Sequence, residues 1–158
     1  MRSRLQSKRE TPVYRIPGSP PLFLDSERGT KALARSIFYL DDDSTHLALF
    51  QAMFGEEFDV RVSTTPDEAR RMLAECAADI IISDQRMPEI EGMDFLREAM
   101  QACPASFRIL LTGEVHIGEV MNEIREGLLH AFLTKPWTEM RMREMLERAR
   151  AFLERQST

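Results

Sequence analysis

Four short apolar runs of this 158-residue chain end in residues able to act together. Asp41, Asp42 and Asp43 follow Ile37-Phe38-Tyr39-Leu40, and Asp84 follows Ile80-Ile81-Ile82-Ser83. Thr112 and Gly113 follow Ile109-Leu110-Leu111, and Thr134, Lys135 and Pro136 follow Ala131-Phe132-Leu133. Carboxylates gathered at one place repel each other unless a divalent cation lies among them, and an all-oxygen donor set suits Mg2+. A hydroxyl (Thr112) and an ammonium (Lys135) opposite that cation complete a phosphoryl-binding pocket. There the positive charges neutralise phosphoryl oxygens, Thr112 donates a hydrogen bond, and the central aspartate attacks phosphorus to give an aspartyl phosphate. Lys135 is the only lysine among the thirteen basic residues of positions 36–158; the other twelve are arginines. A compact ammonium suits a place where a rigid guanidinium fork does not.

These residues meet only if the runs lie side by side. The pattern from Ser36 onward alternates short apolar runs with amphipathic stretches. Strands are expected at Ile37–Leu40, Phe58–Val62, Asp79–Ser83, Phe107–Leu111 and His130–Leu133. Between them the spacing predicts helices, the first carrying Leu47, Leu49, Phe50, Met53 and Phe54 behind a cap at Ser44 or Thr45 and stopping at Gly55. A second opens on the capping-box sequence Thr65-Pro66-Asp67-Glu68. A third spans Met93–Met100, with Gly92 as the turn before it, and a fourth carries the stripe Ile117, Val120, Met121, Ile124. The last, from Thr138 to Glu154, presents Met142, Met145, Leu146, Ala149 and Leu153 inward. Alternating strands and helices imply a five-stranded parallel, doubly wound α/β sheet with helices on both faces. In such sheets the functional crevice lies outside the carboxyl ends of the strands, where Asp41, Asp42, Asp43, Asp84, Thr112 and Lys135 fall.

Composition narrows the alternatives. The longest apolar runs fall far short of the ~20 residues of a spanning helix, and MRSRLQSKRE is not followed by the apolar stretch of a secretory signal. A cytoplasmic protein without membrane insertion is expected. The net charge of −5 divides into +5 over residues 1–35 and −10 over residues 36–158. An acidic body of that kind does not bind nucleic acid, which requires clustered Lys and Arg. Residues 1–35, basic and carrying Pro12, Pro17, Pro20 and Pro21, read as a flexible extension with one short helix near Ser26–Arg35. Residues 36–158 read as the folded domain. His46, His116 and His130 lack metal-ligand spacing, and no GxGxxG or Walker motif occurs.

The ordered segments Phe-Tyr-Leu-Asp-Asp-Asp, Ile-Ile-Ser-Asp-Gln-Arg-Met-Pro-Glu-Ile-Glu-Gly, Ile-Leu-Leu-Thr-Gly and Phe-Leu-Thr-Lys-Pro-Trp resemble the receiver domain of bacterial two-component response regulators, from about Ser36 to Leu153. The resemblance implies a flavodoxin-like fold with strand order 2-1-3-4-5 and a regulatory phosphoacceptor rather than a turnover enzyme. Asp84 looks like the phosphoacceptor. Asp42 looks like a direct Mg2+ ligand, Asp41 a ligand through water, and the Arg86 backbone carbonyl the remaining protein ligand. Thr112 and Lys135 match the family's hydroxyl and lysine, Phe132 its switch aromatic, and the Lys135-Pro136 bond is expected cis. The implied partners are a sensor histidine kinase or phosphotransfer protein and a downstream protein target, with a homodimer through the last helices as a further possibility. The signal is expected to pass through the face made by helix four, strand five and helix five.

Arg86 and Glu114, two residues beyond Asp84 and Thr112, are placed to form an ion pair that lids the phosphoryl group and tunes its lifetime. Glu114-Val115-His116 departs from the Tyr-Ala-Asp common after Thr-Gly in the subgroup that the Arg-Met-Pro segment resembles, and the stretch after Trp137 is too short for an output domain, which leaves either a single-domain regulator or a fragment of a longer protein. Two other readings stay open. Asp41-x-Asp43-x-Thr45 also matches the nucleophile loop of haloacid-dehalogenase-like phosphatases, which would make Asp41 catalytic, and a binding-only pseudoreceiver would hold the pocket without phosphorylation.

Overall fold

The computed structural model describes residues 35–114 and 116–158. The extension read over residues 1–35, with its short helix, therefore lies outside the described residues apart from Arg35. Five strands alternate with five helices: β1 (Ser36–Leu40), α1 (Ser44–Phe54), β2 (Asp59–Ser63), α2 (Pro66–Glu75), β3 (Ile80–Asp84), α3 (Gly92–Ala102), β4 (Phe107–Thr112), α4 (Ile117–Arg125), β5 (Ala131–Thr134) and α5 (Glu139–Gln156). All pairings are parallel and the order is β2-β1-β3-β4-β5, the doubly wound sheet expected. Strand periodicity divides the core in two. Ile37, Tyr39, Ile82, Ile109 and Leu111 pack beneath α1 and α5, whereas Phe38, Leu40, Ile81 and Leu110 pack beneath α2, α3 and α4. The five α5 residues expected inside are all buried.

Local details depart from the expectations in ways that matter for the strand ends. Asp84 and Thr112 close β3 and β4 as ladder residues instead of opening the following loops, with Asp84 opposite Leu111 and Thr112 opposite Thr134. They are held by sheet hydrogen bonding, which fixes side-chain direction better than a loop does. The cap of α1 is Asp43, not Ser44 or Thr45: Asp43 has extended backbone and its Oδ1 accepts from Thr45 N at 2.8 Å. Only half of the expected capping box forms at α2. Thr65 Oγ1 accepts from Glu68 N at 3.4 Å, but Thr65 N donates to Ser63 Oγ and Glu68 Oε2 accepts from that same hydroxyl, so Ser63 takes the reciprocal role. Met121 is 39% exposed and not in the core, because α4 meets the sheet through Val120 and Ile124, and Leu49 is likewise exposed, because α1 buries Leu47, Phe50 and Phe54 instead.

One buried cation holds the lower end of α4. Arg108 on β4 is 3% exposed; its Nε donates to Leu128 O at 2.6 Å, its Nη2 to Gly127 O at 2.8 Å and its Nη1 to Ser106 O at 2.8 Å. The Gly127 and Leu128 carbonyls lie just beyond α4 in the turn that Gly127 makes with φ +79°, a conformation that favours glycine. Arg108 N donates to His130 Nδ1 at 3.0 Å, and the His130 ring stacks on Phe107 and meets Phe152 edge-on. Burial, then the Arg108 charge, lowers the His130 pKa to about 4. Its unfolded value is ~6.5, so between these values the unfolded chain binds more protons and stability falls as pH falls. We expect about 1–2 kcal/mol to be lost between pH 7 and pH 5 on this account. Urea midpoints at the two pH values check it, and His130→Asn should remove that part of the difference.

Candidate phosphoryl and cation site

The strand ends bring four of the expected residues together. Asp41, Asp42 and Asp84 each offer a carboxylate oxygen within 4.8 Å of the others, with Asp41 and Asp84 buried and Asp42 exposed. Lys135 Nζ reaches across from the end of β5, 2.5 Å from Asp84 Oδ1 and 3.5 Å from Asp41 Oδ2. The Lys135-Pro136 peptide is cis, and Lys135 N donates to Thr112 O at 2.8 Å, tying the ends of β4 and β5. Burial pushes the Asp84 carboxyl above its ordinary range; Lys135 opposes that rise, and Asp41 and Asp42 add to it. Three carboxylates beside one ammonium leave excess negative charge on hard oxygen donors, which fits a divalent cation such as Mg2+.

Asp41 is the most heavily bonded of the three acids. Its Oδ2 accepts from Tyr39 Oη at 2.7 Å and lies 3.0 Å from His46 Nδ1, while its Oδ1 accepts from Asp43 N at 2.9 Å. His46 lacks metal-ligand spacing in the sequence, yet the first turn of α1 carries it to the acid triplet. Its position five residues after Asp41, at the start of a helix opened by that triplet, was the available signal.

Two expected participants stand apart from the acids. The Thr112 hydroxyl is buried and turned to the β4–α4 loop, donating to Glu114 O at 2.5 Å and accepting from Glu114 N at 3.2 Å. Phe132 is half-buried and packs against the core beneath α2–α4. Arg86 Nη2 pairs with Glu114 Oε2 at 2.8 Å, with side chains 73% and 71% exposed. The Arg86–Glu114 pair lines a polar cavity of about 250 Å³ together with Thr112 and Gln85. An apolar hollow of about 440 Å³ opens on the other side of Lys135, lined by Leu49, Met53, Pro136 and Trp137.

Gly92 carries more than the turn assigned to it. It is the first residue of α3, donates to Gln85 O at 3.0 Å, and presses so closely on β3 that a Cβ there would lie 2.1 Å from Asp84 O.

A five-stranded parallel sheet with an acid triplet and a lysine at its carboxyl edge defines a class, and comparison with known proteins agrees with it. Residues 37–147 match the model of the response regulator receiver domain, and the chain belongs to that family. It is 28% identical over 102 residues to the hydrogenase transcriptional regulatory protein HoxA of Cupriavidus necator, covering 65% of this chain and 21% of that protein. It is 32% identical over 117 residues to the C4-dicarboxylate transport transcriptional regulatory protein DctD of Rhizobium meliloti, covering 73% and 25%. The chain thus spans about a fifth to a quarter of the length of these relatives. Among solved structures, the signal receiver domain of an HD domain-containing protein from Pseudomonas fluorescens superposes with a TM-score of 0.72 at 23% identity, covering 83% of this chain and 97% of that one. Membership of this family sets aside the phosphatase reading. Among the described residues, no helix is long and apolar enough to cross a membrane.

Proposed function

We propose that this chain is a phosphorylation-dependent switch in which Asp84 accepts a phosphoryl group from a histidine on a sensor kinase or phosphotransfer protein. The observation that carries this reading is the convergence of Asp41, Asp42, Asp84 and Lys135 at one sheet edge. An Asp84 oxygen attacks phosphorus as the phosphorus–nitrogen bond to the donor breaks, leaving the donor imidazole free. Asp41, Asp42, Asp84 and the Arg86 backbone carbonyl would hold Mg2+, which supplies charge stabilisation for the phosphoryl oxygens. Lys135 exchanges its bond with Asp84 for one with a phosphoryl oxygen. Thr112 turns its hydroxyl from Glu114 O towards the same group, which pulls on the β4–α4 loop. Phe132, on the neighbouring strand, moves inward behind it and alters the α4–β5–α5 face read by a downstream protein. The domain is regulatory and acts in the cytoplasm, residues 36–158 forming the switch and residues 1–35 a basic extension.

The Arg86–Glu114 pair lines the polar cavity beside Thr112, and on this reading it would shield the phosphoryl group from water. An exposed pair contributes about 0.2–1 kcal/mol, so it is a weak lid. Glu114→Ala should speed phosphoryl loss by about 1.4- to fivefold, the same range expressed as a rate. Following the decay of the phosphorylated protein checks this, and an unchanged half-life rules the lid out.

The test of the whole reading is Mg2+-dependent uptake from acetyl phosphate followed by intact-protein mass spectrometry, comparing the unmodified chain with Asp84→Asn and Asp41→Asn. Uptake lost at Asp84 supports the switch. No uptake by the unmodified chain supports a binding-only domain.

A further inference from the structure

We propose that Tyr39 is a positioning residue for the cation site, its buried hydroxyl fixing the orientation in which Asp41 presents its carboxylate. The inference rests on the reading above in which Asp41 serves Mg2+.

Tyr39 is the next-to-last residue of β1, paired with Val62 on one side and Ile82 on the other, and is fully buried. Residues two apart on a strand share a face, so Tyr39 and Asp41 point to the same side of the sheet. Packing alone accounts for the ring, which meets Phe50 edge-on at 5.1 Å. It does not account for the hydroxyl, since phenylalanine fills the same space and a buried hydroxyl without a partner is costly. The partner is Asp41 Oδ2, at 2.7 Å.

Three groups contact that oxygen, and they differ in how firmly they are held. His46 is 46% exposed, so water can replace its contact. Lys135 lies at 3.5 Å and is shared with Asp84, and the phosphoryl group claims it on the reading above. Tyr39 alone is anchored by the sheet and shielded from solvent. With Asp43 N holding Oδ1, the carboxylate is pinned at both oxygens before any cation arrives. Hydrogen-bond partners of metal-binding carboxylates orient them, and removing one costs roughly 10–100-fold in metal affinity.

The experiment is a calorimetric titration with MgCl2 alone on the unmodified chain, Tyr39→Phe, Asp41→Asn and the double variant, each checked for folding by its thermal transition. Tyr39→Phe should weaken Mg2+ binding about tenfold. In the Asp41→Asn background the same substitution should change affinity less than about twofold, because the group it positions is gone. Equal loss in both backgrounds, or no loss in either, overturns the proposal. Fluorotyrosine at position 39 gives a second readout that keeps the hydroxyl: its fluorine resonance should shift as Mg2+ is added, and a fixed resonance overturns the proposal even if Tyr39→Phe does not fold. An unmodified chain that binds no Mg2+ removes both this inference and the proposed function. One that binds Mg2+ with Tyr39→Phe unaffected removes this inference alone.

Discussion

Asp84→Asn is expected to abolish Mg2+-dependent phosphoryl uptake while leaving a folded and more stable protein. Asparagine preserves the shape of the side chain and its place opposite Leu111 at the end of β3, but an amide has no carboxylate oxygen with which to attack phosphorus. The loss should reach the detection limit, at least about a hundredfold, because a nucleophile has no partial substitute. Stability should move the other way. The wild-type side chain is a buried acid beside Asp41 and Asp42, and burial with those two charges disfavours its ionised form. Removing one of three crowded carboxylates relieves that repulsion, although it also leaves Lys135 without its 2.5 Å partner. Lys135 keeps Asp41 at 3.5 Å and is partly exposed, so the relief should dominate. A raised urea midpoint together with lost uptake is the expected pair of results. Lost uptake with a collapsed midpoint would mean that Asp84 is needed for folding, and would remove the inference from uptake to chemistry.

Gly92→Ala should be severe for a different physical reason. The residue does not have positive φ, so conformational freedom is not at issue. The obstacle is contact: an added Cβ would meet Asp84 O at 2.1 Å, Asp84 C at 2.8 Å and Gln85 Cα at 2.9 Å, all backbone atoms that no rotamer change can move. Either α3 must lift from β3 or the segment at Asp84–Gln85 must shift. Overpacking of this kind costs about 1–3 kcal/mol and occasionally more. The displaced atoms belong to the proposed phosphoacceptor, so phosphoryl uptake should fall even at low temperature, where the variant is still folded. Gly113→Ala is the control, since nothing lies within 4 Å of its Cβ position; its stability should stay within about 0.5 kcal/mol of the parent. Urea denaturation and acetyl phosphate uptake on both variants check the contrast.

Much of this was legible in the sequence because parallel sheets leave strong marks. Continuous apolar strands such as Ile80-Ile81-Ile82, each ending in a polar residue, gave the strand count, and the α5 pattern named its five buried residues correctly. The convergence of Asp41, Asp42, Asp84 and Lys135 followed from one rule about strand ends. What escaped was decided by single contacts in three dimensions. The stripe that included Met121 was periodic, but α4 rests on the sheet by a narrower seam than periodicity alone implies. Ser63 displaced Glu68 from its capping bond because a hydroxyl from the preceding strand was nearer to Thr65 N. Gly92 looked like an ordinary turn, since nothing in a linear pattern measures the gap between a helix and the backbone beneath it. The Tyr39–Asp41 bond left a mark that went unread: two residues apart on a strand, one carrying a hydroxyl and the other a carboxylate.

The two ends of α4 are secured very differently. Arg108 clamps the carbonyls of Gly127 and Leu128 just beyond its C-terminus, whereas His116 at its N-terminus makes no side-chain capping bond. On the proposed reading, motion delivered from Thr112 through Glu114 would enter at the loosely held end and turn the helix about a fixed fulcrum. Displacement would then be graded along the helix like that of a door on its hinge, widest at the free edge beside His116 and vanishing towards Arg125.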